Sequence, residues 1–374
     1  MTLTLTGGAG RNAGPILHGP EIDAVADALR AGHYGHGPLT EHFEHALAAF
    51  LGVADVVTVA SGTTAMHLAL LAAGVGPKHE VIVPSMTFCA CVQAIVATGA
   101  RPRFVEVDPA TLCVRADDVL AAATPATAAV LPVLFSGRAV DLTGIQQQLD
   151  ERGITIVEDA AQAFGSDLAG RLIGTNPKLM TCFSFGPTKN LTCGEGGAIV
   201  PRTAEEADLL RRLRTVGIAQ SLAQRAEATS YEVAGFGLRA HLSSLSAAIG
   251  LVQLARFDDA RTRRRQLWAA YAAALAGTPD VQLTDVDIAH TVPFNLVVQV
   301  PNRDRVFHRM RQAGIGVGVH YPPNHLQPAF ARWSTSLPAT EQIGRQVISL
   351  PFHPSLNSGN LQQVVTALRD ALTA

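Results

Sequence analysis

Gly153-Ile-Thr-Ile-Val-Glu-Asp159-Ala-Ala-Gln162 decides how this chain folds, read together with Ser184-Phe-Gly-Pro-Thr-Lys189-Asn-Leu-Thr-Cys-Gly194-Glu-Gly-Gly197. The first stretch is a short apolar run closed by carboxylates, the pattern of a parallel strand buried on both faces. In an α/β protein the ends of such strands are where reactive side chains are presented. The second stretch sets a lysine on a turn flanked by glycines, thirty residues beyond Asp159. Taken singly, a lysine near glycines reads as a solvated turn residue, and a strand-end aspartate as a cap or turn former. Their joint occurrence, in an order that one fold can bring together, points to a site.

Around these stretches strands and helices alternate. Residues 56–60 read as a strand, Ser61-Gly-Thr-Thr64 as a turn and 65–73 as a helix; 80–84 is a strand, 87–98 a helix and 103–108 a strand. Further apolar runs at 128–134 and 154–158 follow, so the expected fold class is α/β with a mostly parallel sheet covered by helices. Upstream, helices are expected at 21–31 and 40–51, with the glycine-rich loop Gly32-His-Tyr-Gly-His-Gly-Pro38 between them. Downstream, one long helix over about 243–275 leads into weaker alternation, with a strand at 294–300. The expected organisation is a large domain, 1–250, and a smaller C-terminal α/β domain, 251–374.

Composition narrows the class. Of 374 residues 48% are hydrophobic and 16% charged, and the formal net charge is −2, which suits a globular enzyme and gives no basis for nucleic-acid binding. The one cationic cluster, Arg261 with Arg263, Arg264 and Arg265, lies on a helical stretch and reads as a solvated or subunit-facing surface. Five cysteines without Cys-x-x-Cys spacing indicate neither a disulfide framework nor a zinc site. The first ten residues lack a cationic region followed by an apolar core, and charges interrupt the alanine-rich helices short of a membrane span. The expected location is the cytoplasm, with no membrane association.

The chemistry that needs this set of residues is that of pyridoxal 5'-phosphate (PLP). A lysine forms a Schiff base with the aldehyde, an acid keeps the pyridine nitrogen protonated, and a cradle holds the phosphate. Lys189 and Asp159 supply the first two. For the third, the turn Ser61-Gly62-Thr63-Thr64 aims backbone N–H groups and a helix dipole at an anion, and Ser184 adds a hydroxyl. The same turn also reads as an ordinary helix cap.

Over nearly its whole length the chain resembles the sugar aminotransferases of fold-type I PLP enzymes, the DegT/StrS group. The resemblance rests on Gly37-Pro38, Phe43-Glu44, Phe50-Leu-Gly52, Ser61-Gly-Thr63 and Val81-Ile-Val-Pro84-Ser-Met-Thr87-Phe88. It continues through Glu158-Asp159-Ala-Ala-Gln162, Ser184-Phe185 to Lys189, Gly194-Glu-Gly-Gly197, Ala247-Ala-Ile-Gly250, His320-Tyr-Pro322 and Leu350-Pro351. It implies the fold-type I PLP-transferase fold, with Lys189 as both anchor and general acid/base and Asp159 paired with the pyridinium nitrogen. Gln162 would contact the phenolic oxygen of PLP, although a glutamine satisfying loop backbone would look the same. Phe88 would stack on the cofactor ring, where the alternative is a core phenylalanine. Gly62, Thr63, Thr64 and Ser184 would hold the phosphate.

The resemblance also implies a homodimer with shared active sites. His320, Tyr321 and His325 would lie on the substrate side, and the loop bearing His33 and Tyr34 either closes over substrate or is a surface connection. The five-residue spacing of His320 and His325 does not make a metal pair, because prolines separate them and no carboxylate or cysteine cluster accompanies them. Four departures stand out. Arg239 occupies the place where the family usually has an asparagine reaching the neighbouring subunit's phosphate, with His241 where an arginine is common. Gly186 and Leu134 replace histidines that many members carry, which implies a roomier, less basic pocket. The reaction implied is ping-pong transfer of an amino group from glutamate or glutamine to a keto-sugar, nucleotide-linked in the usual case, or to a keto-cyclitol. The competing readings are a PLP-dependent lyase or dehydratase, against which Lys189 argues, and a non-catalytic PLP-binding regulator, for which no DNA-binding module is evident.

Overall fold

The computed structural model describes residues 8–373; the first seven residues, on which the reading of the N-terminus partly rests, lie outside them. The chain opens with α1 (Pro20–Arg30) and α2 (Pro38–Leu51), each beginning on a proline, where the missing N–H has no helical partner to lose. The alternation follows: β1 (Val57–Val59), α3 (Gly62–Ala72), β2 (Glu80–Pro84), α4 (Ala90–Ala97) and β3 (Arg101–Val105). Next come α5 (Ala116–Ala122), β4 (Thr127–Val130), α6 (Gln146–Glu151) and β5 (Thr155–Asp159). A small hairpin of β6 (Asp167–Leu168) and β7 (Arg171–Leu172) precedes β8 (Met180–Ser184) and β9 (Gly197–Val200). Four helices follow: α7 (Ala204–Leu213), α8 (Leu222–Glu227), α9 (Ser244–Ala255) and α10 (Phe257–Leu275).

The large sheet has seven strands in the order β1-β9-β8-β5-β4-β2-β3. Only β9 runs antiparallel to its neighbours. Alternate strand residues enter two different cores, which is why these strands read as continuous apolar runs. Ile82, Val130 and Ile156 join Phe43 and Leu47 of α2 in the first core; Val81, Val83, Ala129 and Val157 join Leu68 of α3 and Ile95 of α4 in the second.

A three-stranded antiparallel sheet of β10 (Gln282–Leu283), β11 (Leu296–Gln299) and β12 (Val347–Leu350) forms a third core with α11 (Arg303–Gln312) and α13 (Ser358–Thr373), while α12 (Pro338–Gly344) lies between. The stretch 251–374 is not confined to this layer. Val292, Tyr321 and Ile343 pack in the first core, and Phe330 and Leu337 in the second. Conversely, Ala9 lies in the third core, and Asn12 pairs with it through Phe352 N–H to its carbonyl at 2.7 Å. The chain therefore crosses between the layers several times.

The long helix expected over 243–275 is two helices. Arg256 leaves helical geometry (φ −118°, ψ 17°), and the bend drives Phe257 edge-on against Phe164 and Phe50. Gly165 makes that insertion possible. It sits at φ +82°, and a Cβ there would lie 2.3 Å from the Phe257 ring. Gly165→Ala is therefore expected to destabilise the fold by about 2–4 kcal/mol, lowering the thermal unfolding midpoint by several degrees; a midpoint within one degree of the parent would contradict this packing account.

Candidate active site

The ends of β1, β2, β5 and β8 converge at one edge of the large sheet, and each hands a polar residue to the same place. Asp159 is the last residue of β5 and Ser184 the last of β8, while Ser61 and Ser85 follow β1 and β2. Strand ends leave backbone groups unpaired, so short polar side chains are favoured there.

Asp159 is 5% exposed. Its Oδ1 accepts the Ala161 N–H at 3.0 Å, and its Oδ2 accepts the Cys91 thiol at 2.9 Å. Lys189 lies on the loop between β8 and β9. The residue as a whole is half-buried, but its amine end is enclosed, with Nζ 4.5 Å from the centroid of the Phe294 ring. Burial holds the Lys189 amine below the ordinary lysine range, with the negative charge of Asp159 pulling in the opposite direction. An amine less basic than usual is the form that attacks a carbonyl. Asn190 ties the loop down by donating to the carbonyls of Val292 at 2.9 Å and Gln162 at 3.4 Å.

Gln162 uses both ends of its amide. Its Oε1 accepts the Ser136 N–H at 2.8 Å, and its Nε2 donates to the Tyr321 hydroxyl at 3.3 Å. One amide N–H remains, so the loop-backbone reading and the ligand reading are compatible. Tyr321 is flanked by Phe135 and His320, with Phe88 at a ring separation of 5.9 Å. Phe88 is 56% exposed, which sets aside the alternative that it is core. Burial pushes His320 down to about 4, with the nearby Lys189 adding to the effect; Nδ1 of this neutral ring lies 2.6 Å from Ser349 Oγ.

The turn at 61–64 caps α3. Ser61 Oγ accepts the Thr64 N–H at 3.1 Å, so the cap reading holds, yet the first turn of α3 carries no acidic residue. Gly62 packs against Ser184 so closely that a Cβ would lie 2.6 Å from the Ser184 Cβ, which draws the turn and this hydroxyl together. Lys189, Asp159, Gln162 and Tyr321 thus share one cluster, and the α3 N-terminus with Ser184 forms its anion-favouring side.

A model of the DegT/DnrJ/EryC1/StrS aminotransferase family matches residues 15–369. The chain belongs to this family. Similar solved structures include DesV of S. venezuelae, described in complex with a ketimine intermediate, at 36% identity over 97% of this chain and 99% of that one, TM-score 0.87. The aminotransferase TlmJ from Streptoalloteichus hindustanus is 33% identical over 96% and 98%, TM-score 0.89. The sugar aminotransferase CalS13 from Micromonospora echinospora is 32% identical over 96% and 98%, TM-score 0.88. The fold is that of PLP aminotransferases, the cofactor of the DegT/DnrJ/EryC1/StrS family is PLP, and the chain is accordingly a PLP-dependent sugar aminotransferase.

The expectations for His325 and Leu134 need correction. His325 does not face substrate: it is 1% exposed, with Nδ1 2.6 Å from Ser85 Oγ and its N–H on the same oxygen, and it braces the loop after β2. Leu134 leaves no room in the pocket, because it is fully buried in the first core. Only Gly186 offers space: a Cβ there would stand 3.7 Å from Ser184 Oγ and about 4.0 Å from Lys189 Cγ. Arg239, His33 and Tyr34 are exposed and, among the described residues, make no hydrogen bond to Lys189, Asp159 or Ser184. Among the described residues no group of three or more His, Cys, Asp and Glu is placed to hold a metal ion, and no helix is long and apolar enough to cross a membrane. All five cysteines are unpaired.

The sequence reading missed Cys91, Asn190 and Phe294. Asn190 adjoins the lysine and carried a signal, as an amide on a loop that must be pinned; Cys91 and Phe294 reach the site only through tertiary packing.

Glu158 precedes Asp159 on β5 and so points to the opposite face, beside a cavity of about 30 Å³, where Thr181 Oγ donates to it at 2.7 Å. Burial pushes this carboxyl up to about 7. The folded chain holds that proton to about pH 7, whereas the unfolded chain releases it near 4.5. Between these values the native state binds more protons, so stability falls as pH rises, by up to about 3 kcal/mol above pH 7. Urea unfolding at roughly pH 5 and pH 8 is expected to show this loss in the parent chain and to show most of it abolished in Glu158→Gln.

Proposed function

We propose that the chain moves an amino group from glutamate or glutamine onto a keto-sugar, nucleotide-linked, with a keto-cyclitol as the second acceptor class. The observation that carries this reading is the enclosed Lys189 amine near Asp159, beside the N-terminus of α3, whose first turn has no acidic residue. The cluster fits PLP. A buried carboxylate with one lone-pair position left on each oxygen suits a protonated ring nitrogen, and the close approach of Gly62 to Ser184 brings the N-terminus of α3 and a hydroxyl together, as a phosphate requires. When bound, PLP supplies an aldehyde for amine attachment and a ring that takes up electrons from the substrate.

The roles of this chain's residues follow. Lys189 Nζ would anchor the cofactor and, once released by the incoming amine, take up and return the proton of the substrate's amino-bearing carbon. Asp159 pairs with the ring nitrogen, Gln162 Nε2 donates its spare N–H to the phenolic oxygen, and Phe88 covers one ring face. Ser184 with Gly62, Thr63 and Thr64 holds the phosphate. The neutral ring of His320, with Tyr321, orients the acceptor.

Arg239 serves the neighbouring subunit in a homodimer. Supporting this is an exposed apolar run around it: Tyr231 at 65%, Val233 at 57%, Phe236 at 100% and Leu238 at 40%. Side chains of this kind, clustered on one segment, mark an association surface. His33 and Tyr34, also exposed, contact the acceptor when the loop between α1 and α2 closes over it.

Incubating the PLP-loaded chain with glutamate is expected to convert the cofactor to its pyridoxamine form, and borohydride reduction before that step is expected to label Lys189; an unlabelled Lys189, or label on Lys78 or Lys178, would remove the basis of the reading. Screening the pyridoxamine form against nucleotide-linked keto-sugars, free keto-sugars and keto-cyclitols then separates the acceptor classes. Mixing Lys189→Ala with Arg239→Ala subunits is expected to regenerate up to about a quarter of the activity of a shared-site dimer, as one of two sites in half of the dimers is intact. No recovery after confirmed subunit exchange would show that Arg239 acts within its own chain.

A further inference from the structure

Cys91 is placed where a sequence reading sees only a buried thiol. It is 1% exposed, in the first turn of α4, with Sγ 2.9 Å from Asp159 Oδ2 and 3.1 Å from Thr87 Oγ1. Burial, followed by the neighbouring Asp159, pushes the Cys91 thiol far above the ordinary range, so it stays an S–H donor. Thr87 in turn is held by Asn324, whose Nδ2 donates to the carbonyls of Thr87 at 2.7 Å and Ser85 at 3.0 Å. A line of contacts therefore runs from the 320–325 segment through Thr87 and Cys91 to Asp159.

We propose that Cys91 is a positioning residue for Asp159: its S–H fixes Oδ2, while the Ala161 N–H fixes Oδ1, so the carboxylate cannot turn about its terminal torsion. This rests on the reading of Asp159 as the partner of the cofactor's ring nitrogen. A carboxyl torsion is broad and two-fold, so one backbone bond alone leaves the other oxygen free to swing. A thiol is a weak donor, and it orients the carboxylate while drawing off less of its negative charge than a hydroxyl would. The charge is thereby left for the group Asp159 faces. The other ionisable groups around Asp159 are Lys189 from the loop after β8, Cys182 on β8 and Tyr321.

The test uses the PLP-loaded full chain. In infrared difference spectra between the parent and Cys91→Ala, the S–H band of Cys91 is expected at lower frequency than a free thiol and is expected to rise in Asp159→Asn. Cys91→Ala is expected to lose about tenfold in kcat, the scale of one hydrogen bond to a charged group, with KM for glutamate nearly unchanged. Cys91→Ser is expected to recover most of that loss, because a hydroxyl occupies the same space and donates along the same line. A band at the free-thiol position or unmoved by Asp159→Asn, a serine variant no better than alanine, or a loss confined to KM overturns the proposal. Near-parental turnover by Asp159→Asn would instead overturn the reading of Asp159, and the role of Cys91 with it; the infrared arm reads the Cys91 contact independently of that outcome.

Discussion

Enclosure of the Lys189 amine at the sheet edge is the constraint on which the rest of this molecule depends. An amine taken out of water loses hydration that only fixed protein groups can replace, and its properties then follow its surroundings closely. A displacement of the loop between β8 and β9 would return Nζ to solvent. The loop is accordingly held at both ends, by Phe185 N–H to the Gly196 carbonyl at 2.8 Å and Cys193 N–H to the Phe185 carbonyl at 3.0 Å, and in its middle by Asn190. Phe294 then forms an apolar wall beside the amine.

The polar residues of the cluster are each satisfied by the protein and still retain capacity. Gln162 spends one oxygen on Ser136 and one N–H on Tyr321; Ser61 caps α3 without covering its dipole; Asp159 accepts one bond on each oxygen. This is how a binding site remains compatible with a stable fold. Groups left wholly unsatisfied in the interior would weaken the chain, whereas half-used groups keep their positions and can take one partner more.

Much of this was legible in the sequence, for reasons that differ between parts. The strands of the large sheet are buried on both faces, so β2, β4 and β5 stand out as apolar runs, and the carboxylate ending β5 and the glycines around Lys189 mark the site directly. The interruption at Arg256 was not legible, because residues 243–275 are helical in composition throughout and the bend answers to Phe257 packing on Gly165, a contact between residues far apart in the chain. His325 was misjudged for a related reason. A histidine in a proline-bearing loop beside site residues resembles a ligand-facing residue until its distant partner, Ser85, is known. Cys91 was invisible in the same way, since nothing local distinguishes a thiol aimed at Asp159 from one that fills space.

The repeated crossing of the chain between its layers has a consequence for how the protein comes into being. On a ribosome the strands carrying Asp159 and Lys189 emerge well before Phe294, Tyr321 and Asn324, the residues that enclose the amine, brace Gln162 and hold Thr87. A nascent chain can therefore lay down much of its sheet while the reactive corner is still wet and loose. Competence arrives late, with the last quarter of synthesis, and a prematurely terminated product would be a scaffold lacking the walls that make its lysine useful.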